Sequence, residues 1–176
     1  MQDLSLNVLD IAENSVKAKA TEIKISVLEN GDSLEIIIED NGCGMSEETV
    51  KNVVDPFYTT RTTRKVGLGV PFFKMSAEQT GGSFLISSEI GVGTRVSAKY
   101  DMSHIDMMPV GDMEETVLSL VTLNTHIDFL YVRSKNGNTF EFSTKEIKEI
   151  LGDVPLNEPE IVVFLRDYLK QHTEIL

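Results

Sequence analysis

A single cysteine, Cys43, stands in the 176-residue chain. That excludes an internal disulfide and any thiolate-based zinc cluster. Set between two glycines, Cys43 is expected to be a small buried filler. Long apolar runs are missing too: nothing approaches the ~18 uninterrupted apolar residues of a membrane helix. The start, Met1-Gln2-Asp3-Leu4, has neither the basic stretch nor the apolar run of a secretory leader. A cytoplasmic protein without a membrane partner is the expectation. Basic residues are few, 16 Lys and Arg against 28 Asp and Glu, for a formal net charge of −12. Such a surface does not concentrate a polyanion, which argues against nucleic acid and suits a basic protein partner. Finally, no Gly-x-x-x-x-Gly-Lys-Ser/Thr segment occurs, so a P-loop is excluded.

What the chain does have is enough apolar residue, 41 %, to bury a core, and an ordinary 25 % of charge. The length suits one domain, or one domain with a sizeable appendage. Leu4, Val8, Ile11, Ala12, Ser15 and Val16 recur at helical steps and predict a helix over 4–19. Alternation predicts a strand over 22–28, and the apolar run 34–38 a second, central one. Asn30-Gly31 joins them as a hairpin. Ser46 is placed to cap a helix running to about Val54, with Glu47 and Glu48 in its first turn. Residues 55–66 read as a loop. A helix follows from Leu68 to Gln79, its start fixed by Pro71, which only a first turn tolerates. Strands at 83–88 and 95–100 flank a glycine turn. Helix, two strands, helix, loop, helix, two strands predicts an α/β two-layer sandwich, with helices on one face of a mostly antiparallel sheet. Beyond it, 102–176 is expected to be a small α+β extension: a helix at 114–123, a hairpin around Lys135-Asn136-Gly137-Asn138, and helices at 144–151 and 158–171. Its hairpin either extends the first sheet or stands apart.

Five segments carry chemistry: Asp10-Ile11-Ala12-Glu13-Asn14-Ser15, Asp40-Asn41-Gly42-Cys43-Gly44-Met45, Asp55-Pro56-Phe57-Tyr58-Thr59-Thr60-Arg61, Gly67-Leu68-Gly69 and Gly91-Val92-Gly93-Thr94. Asp10 and Asn14 share one helix face, one turn apart. A carboxylate and an amide so stacked can hold Mg²⁺ and orient a water. Asp40 ends an apolar strand and needs a partner there, while Gly42 and Gly44 let backbone come close to a ligand. Arg61, Arg64 and Lys65 lie in the loop, where cations can neutralise phosphates. Gly67, Leu68 and Gly69 open a helix whose bare N–H groups suit an anion.

In this order and spacing the segments resemble the ATPase family shared by sensor histidine kinases, gyrase, Hsp90 and the mismatch-repair protein MutL, with its Bergerat ATP-binding fold. The resemblance implies that fold for residues 1–101, and ATP with Mg²⁺ as cofactors. It makes Asn14 the metal ligand, and Asp10 the acid that polarises an attacking water, shorter by one methylene than the family's usual Glu. It makes Asp40 the acceptor for the adenine amine, with Thr94 offering a hydroxyl behind it. Gly42, Gly44, Met45, Phe57, Thr60, Arg61, Arg64, Lys65, Gly67, Leu68 and Gly69 complete the nucleotide site. The Asp-Pro-Phe-Tyr-Thr-Thr-Arg run, then Gly-Leu-Gly and Gly-Val-Gly-Thr, is most similar to the catalytic domain of sensor histidine kinases. Glu13-Asn14-Ser15 with Ala20-Thr21-Glu22-Ile23 looks like MutL. A stand-alone kinase-like protein acting on a separate protein, in the manner of anti-sigma factor kinases, is the leading expectation. A nucleotide-sensing module, or a slow ATPase whose lid closure makes a homodimer, are the others. Ser103-His104 to Pro109 has the spacing of a phosphoacceptor box but lacks its acid and its basic residue, so it reads as a connector. His126 and His172 read as surface residues.

Overall fold

The protein is described from a computed structural model covering residues 2–57 and 68–176. Thr60, Arg61, Arg64, Lys65 and Gly67, expected in the nucleotide site, lie outside the described residues.

Helix α1 spans Leu4–Lys17 and begins where Asp3 Oδ1 accepts the Leu6 N–H at 3.0 Å. Leu4, Val8, Ile11 and Ala12 bury one face of it, as their spacing requires. Strands β1 (Glu22–Asn30) and β2 (Ser33–Asp40) form the expected hairpin, with Gly31 at φ +59° in its turn. Helix α2 covers Glu47–Val53, and Ser46 Oγ caps it by accepting the Thr49 N–H. Helix α3 covers Gly69–Gln79 with Pro71 in its first turn. Strands β3 (Ser83–Glu89) and β4 (Gly93–Asp101) pair antiparallel.

The second part of the chain contributes α4 (Met113–Leu123), β5 (Asp128–Lys135), β6 (Asn138–Ser143), α5 (Thr144–Leu151) and α6 (Pro159–Glu174). Its hairpin does not stand apart. β5 lies parallel to β1, from Glu22 opposite Asp128 to Glu29 opposite Lys135. One six-stranded sheet results, in the order β3-β4-β2-β1-β5-β6, antiparallel except at β1–β5. Parallel neighbours need a long crossover, and α4 lies in that crossover, packed against α1 and α6.

Alternate positions of every inner strand are buried: Ile23, Ile25 and Val27; Leu34, Ile36 and Ile38; Val96, Ala98 and Tyr100; Phe129 and Tyr131. They join the α1, α3 and α4 faces in one core. On the opposite face the register sets Lys24 beside Glu39, and Glu39 beside Arg95. All three side chains there face solvent or its edge, and Arg95 reaches Glu39 at 3.4 Å. Helix α6 is tied to α4 by a two-pronged pair, Arg166 to Glu115 at 3.0 Å for each bond. The Arg166 hydrogen bond holds the Glu115 carboxyl below its usual range, against a weaker upward push from burial. His172 is not a plain surface residue: its ring stacks on Phe140, with centroids 5.0 Å apart, and its Nδ1 meets the Tyr168 carbonyl at 2.8 Å. An i, i+4 step along α6 makes that contact. His126 is exposed, as expected.

Candidate functional site

A cavity of about 620 Å³ opens between the end of α1, the end of β2, α2 and the starts of α3 and β4. Ile11, Ile38, Val53, Val70, Ile86 and Val96 give it apolar walls. Asn14, Ser15, Lys17, Asp40 and Thr94 supply polar groups. A mostly apolar hollow with few converging polar groups is the usual form of a small-molecule site.

Asp40 has the most defined surroundings. Its Oδ1 accepts the Gly42 N–H at 2.9 Å and the Thr94 N–H at 3.3 Å. Its Oδ2 accepts the Ser15 hydroxyl at 2.5 Å. A carboxylate has about four acceptor positions, so the one left over is on Oδ2. Thr94 was expected to back Asp40 through its hydroxyl. It does so through its backbone N–H instead, and its hydroxyl meets Ser88 Oγ at 2.8 Å. The reason is register: Thr94 lies opposite both Asp40 and Ser88, and its hydroxyl turns to the β3 side.

The turn after Asp40 is tied on three sides. The Cys43 N–H donates to the Ala18 carbonyl at 2.9 Å, and the Gly91 N–H to the Cys43 carbonyl at 2.8 Å. The Met45 N–H donates to Ser88 Oγ at 2.8 Å. Asn41 Oδ1 accepts the Thr21 and Glu22 N–H groups, and its amide donates to Thr21 Oγ1. Gly44 has φ +71°, and a Cβ on it would overlap the Glu89 carbonyl oxygen, so the close approach of this turn to β3 depends on glycine. Cys43 is not the buried filler expected of it. It is exposed and lines the cavity, because Gly44 turns the chain out of the core at that point.

Asn14 lines the cavity half-buried, and among the described residues no hydrogen bond takes up its side-chain amide. Asp10 lies one turn earlier, exposed and outside the cavity lining. The start of α3 abuts it: a Cβ on Gly69 would lie 3.0 Å from the Asp10 Cβ. Among the described residues no side chain caps α3 at Leu68, and bare N–H groups at a helix start suit an anion.

Of the expected site residues, the structure gathers Asn14, Asp40, Gly44, Met45 and Thr94 around the cavity. Gly42 joins them through its bond to Asp40. Leu68 is placed elsewhere, lining a separate apolar hollow of about 250 Å³ with Val54, Pro71 and Met75. Phe57 is 72 % exposed and does not line the main cavity; its N–H donates to Asp55 Oδ1. Sequence reasoning passed over Ser15, Lys17 and Ser88. Ser15 had a signal: a hydroxyl among the apolar positions of α1 requires a buried partner. Lys17 follows Asn14 by one turn, and it is the one cation among the cavity's described lining residues.

Comparison with known proteins gives the family and the fold. Residues 2–104 match the family of histidine kinase-, DNA gyrase B-, and HSP90-like ATPases. The chain belongs to that family, and membership implies ATP binding. Sensor protein SrrB of Staphylococcus aureus is 35 % identical over 99 residues, which are 53 % of this chain and 17 % of that protein. A Bacillus subtilis protein named "Probable C4-dicarboxylate sensor kinase" is 31 % identical over 88 residues, 50 % of this chain and 16 % of its own. The chain thus spans about a sixth of the curated relatives it matches. In fold, the Aquifex aeolicus MutL ATPase domain complexed with ADP is similar over 95 % of this chain and 88 % of its own, with TM-score 0.50 and 15 % identity. Among the described residues no helix is long and apolar enough to cross a membrane.

Proposed function

We propose that this chain binds Mg–ATP in the cavity between α1 and β2 and works as a kinase-type unit on a partner protein. It either transfers the γ-phosphoryl group or binds the partner only when loaded. The observation that carries this is Asp40: three donors orient its carboxylate, and one acceptor position remains toward an apolar hollow. The exocyclic amine of adenine matches that position. Asn14 and Asp10 offer oxygen donors, which suit magnesium, and the Asn14 amide is uncommitted among the described residues. Magnesium, when bound, neutralises phosphate charge. The start of α3, without a side-chain cap among the described residues, and the Lys17 ammonium favour the same phosphates. Arg61, Arg64 and Lys65 are proposed as further phosphate contacts from the loop. Phosphoryl transfer needs positioning and charge neutralisation more than covalent help from the protein, and this set supplies both.

Hydrolysis is the second reading, favoured by Asp10 at the junction of α1 and α3, where a carboxylate orients water. A module that senses ATP without turnover is the third. The acidic surface suits a basic partner, and a cytoplasmic setting goes with all three readings.

Calorimetry with ATP in the presence and absence of Mg²⁺ tests the shared premise, and no heat of binding under either condition removes it. A γ-phosphate label then separates the readings. Label on a co-purifying protein supports the kinase, free phosphate supports hydrolysis, and intact ATP supports sensing.

A further inference from the structure

Ser15 is 3 % exposed on the buried side of α1, in line with Leu4, Val8, Ile11 and Ala12. A serine inside a helix commonly returns its proton to the carbonyl four residues back. Here the proton goes to Asp40 Oδ2, 25 positions away in sequence, at 2.5 Å. We infer that Ser15 is a positioning residue that sets the base selectivity of the nucleotide site. This rests on the reading of Asp40 as the base contact.

The argument is one of counting donors and acceptors. Two backbone N–H groups hold Oδ1, from Gly42 and from Thr94. Both meet the same oxygen, so the carboxylate plane still has freedom to rock about it. The Ser15 hydroxyl meets the other oxygen and removes that freedom. It also occupies one of the two positions on Oδ2. Having given up its only proton, Ser15 Oγ is left purely as an acceptor, bonded to Asp40 Oδ2, and both residues line the cavity. Two adjacent acceptors welcome an N–H₂ group and repel a carbonyl. The site therefore favours a purine with an amine at C6 over one with an oxygen there. Removing Ser15 frees the carboxylate to rock, opens a second position on Oδ2 to water, and deletes one of the two acceptors.

The test uses the full chain and two probes, Mg–ADP and Mg–IDP, which differ in the base at C6, an amine against a carbonyl, and at the adjoining N1, bare in adenine and protonated in hypoxanthine. The unaltered protein is expected to prefer ADP. Ser15→Ala is expected to weaken ADP about tenfold, the effect of a lost and misaligned hydrogen bond to a charged group. IDP should change little, so the ADP:IDP ratio falls by about the same factor. A purely structural serine would weaken both nucleotides alike and leave the ratio where it was, and that result overturns the inference. Melting temperatures accompany each variant. Where the alanine variant fails to fold, Ser15→Cys, close in shape but a weak donor, carries the same expectation at smaller size. Asp40→Asn is the control. If it collapses the ratio while neither Ser15 variant does, the role of Ser15 is refuted and the base contact survives. If it also leaves the ratio unchanged, the base contact and the inference fall together.

Discussion

Replacing Asp40 by asparagine keeps shape and volume and exchanges one acceptor for a donor. The new amide has two orientations. With its NH₂ toward the backbone, it would face the Gly42 and Thr94 N–H groups, now 2.9 and 3.3 Å from Oδ1, as donor against two donors. With its oxygen toward the backbone, those two bonds survive and only the Ser15 bond, 2.5 Å long, must adapt. A hydroxyl can rotate to accept as well as donate, so the second orientation is preferred and the fold should lose only about 1 kcal/mol. The NH₂ group then points where the adenine amine would come. Nucleotide binding loses a charge-assisted hydrogen bond and meets a donor instead, roughly 1–3 kcal/mol in all, or about 5- to 150-fold in Kd. Titration calorimetry with Mg–ADP measures it, with a melting curve to show that the variant is folded. A folded Asp40→Asn protein with Kd within about twofold of the original would refute the role of Asp40 as base contact.

Asn14→Ala should remove the part of ADP affinity that depends on Mg²⁺ and leave binding in EDTA unchanged; equal losses under both conditions would make Asn14 a wall residue only. Gly44→Ala forces a side chain into left-handed backbone and against the Glu89 carbonyl. It should cost roughly 1–3 kcal/mol of stability, read by urea unfolding. The Glu115–Arg166 pair gives an acid-sensitive tie. The folded carboxyl titrates below its unfolded value, so its contribution is present above the usual glutamate range and is lost as pH falls through the depressed folded value. Glu115→Gln should therefore remove part of the stability gained between those two values, a difference visible in melting curves taken across pH.

The order of elements could be read from the chain because each one rests on local rules. The apolar spacing of α1, the alternation of β1, the Ser46 cap and the Pro71 start were all apparent, and the structure has each of them within a few residues. Five glycine- and acid-bearing segments pointed to the family for the same reason: a tight turn or a bare helix start demands particular residues wherever it occurs.

Non-local matters had no such trace. Whether β5 and β6 join the first sheet depends on β1 having an edge for β5 to pair with, and no residue of the hairpin announces that. The bond from Ser15 to Asp40 joins α1 to the end of β2, and the choice of the Thr94 N–H over its hydroxyl follows from strand register. Cys43 reaches solvent because Gly44 turns the backbone, although composition alone suggested burial. Backbone geometry over a few residues governs helix, strand and turn, and so a string of residues suffices for them. Which donor meets which acceptor is settled only when distant pieces pack, since a buried polar group takes whatever partner the finished fold brings within 3 Å or so.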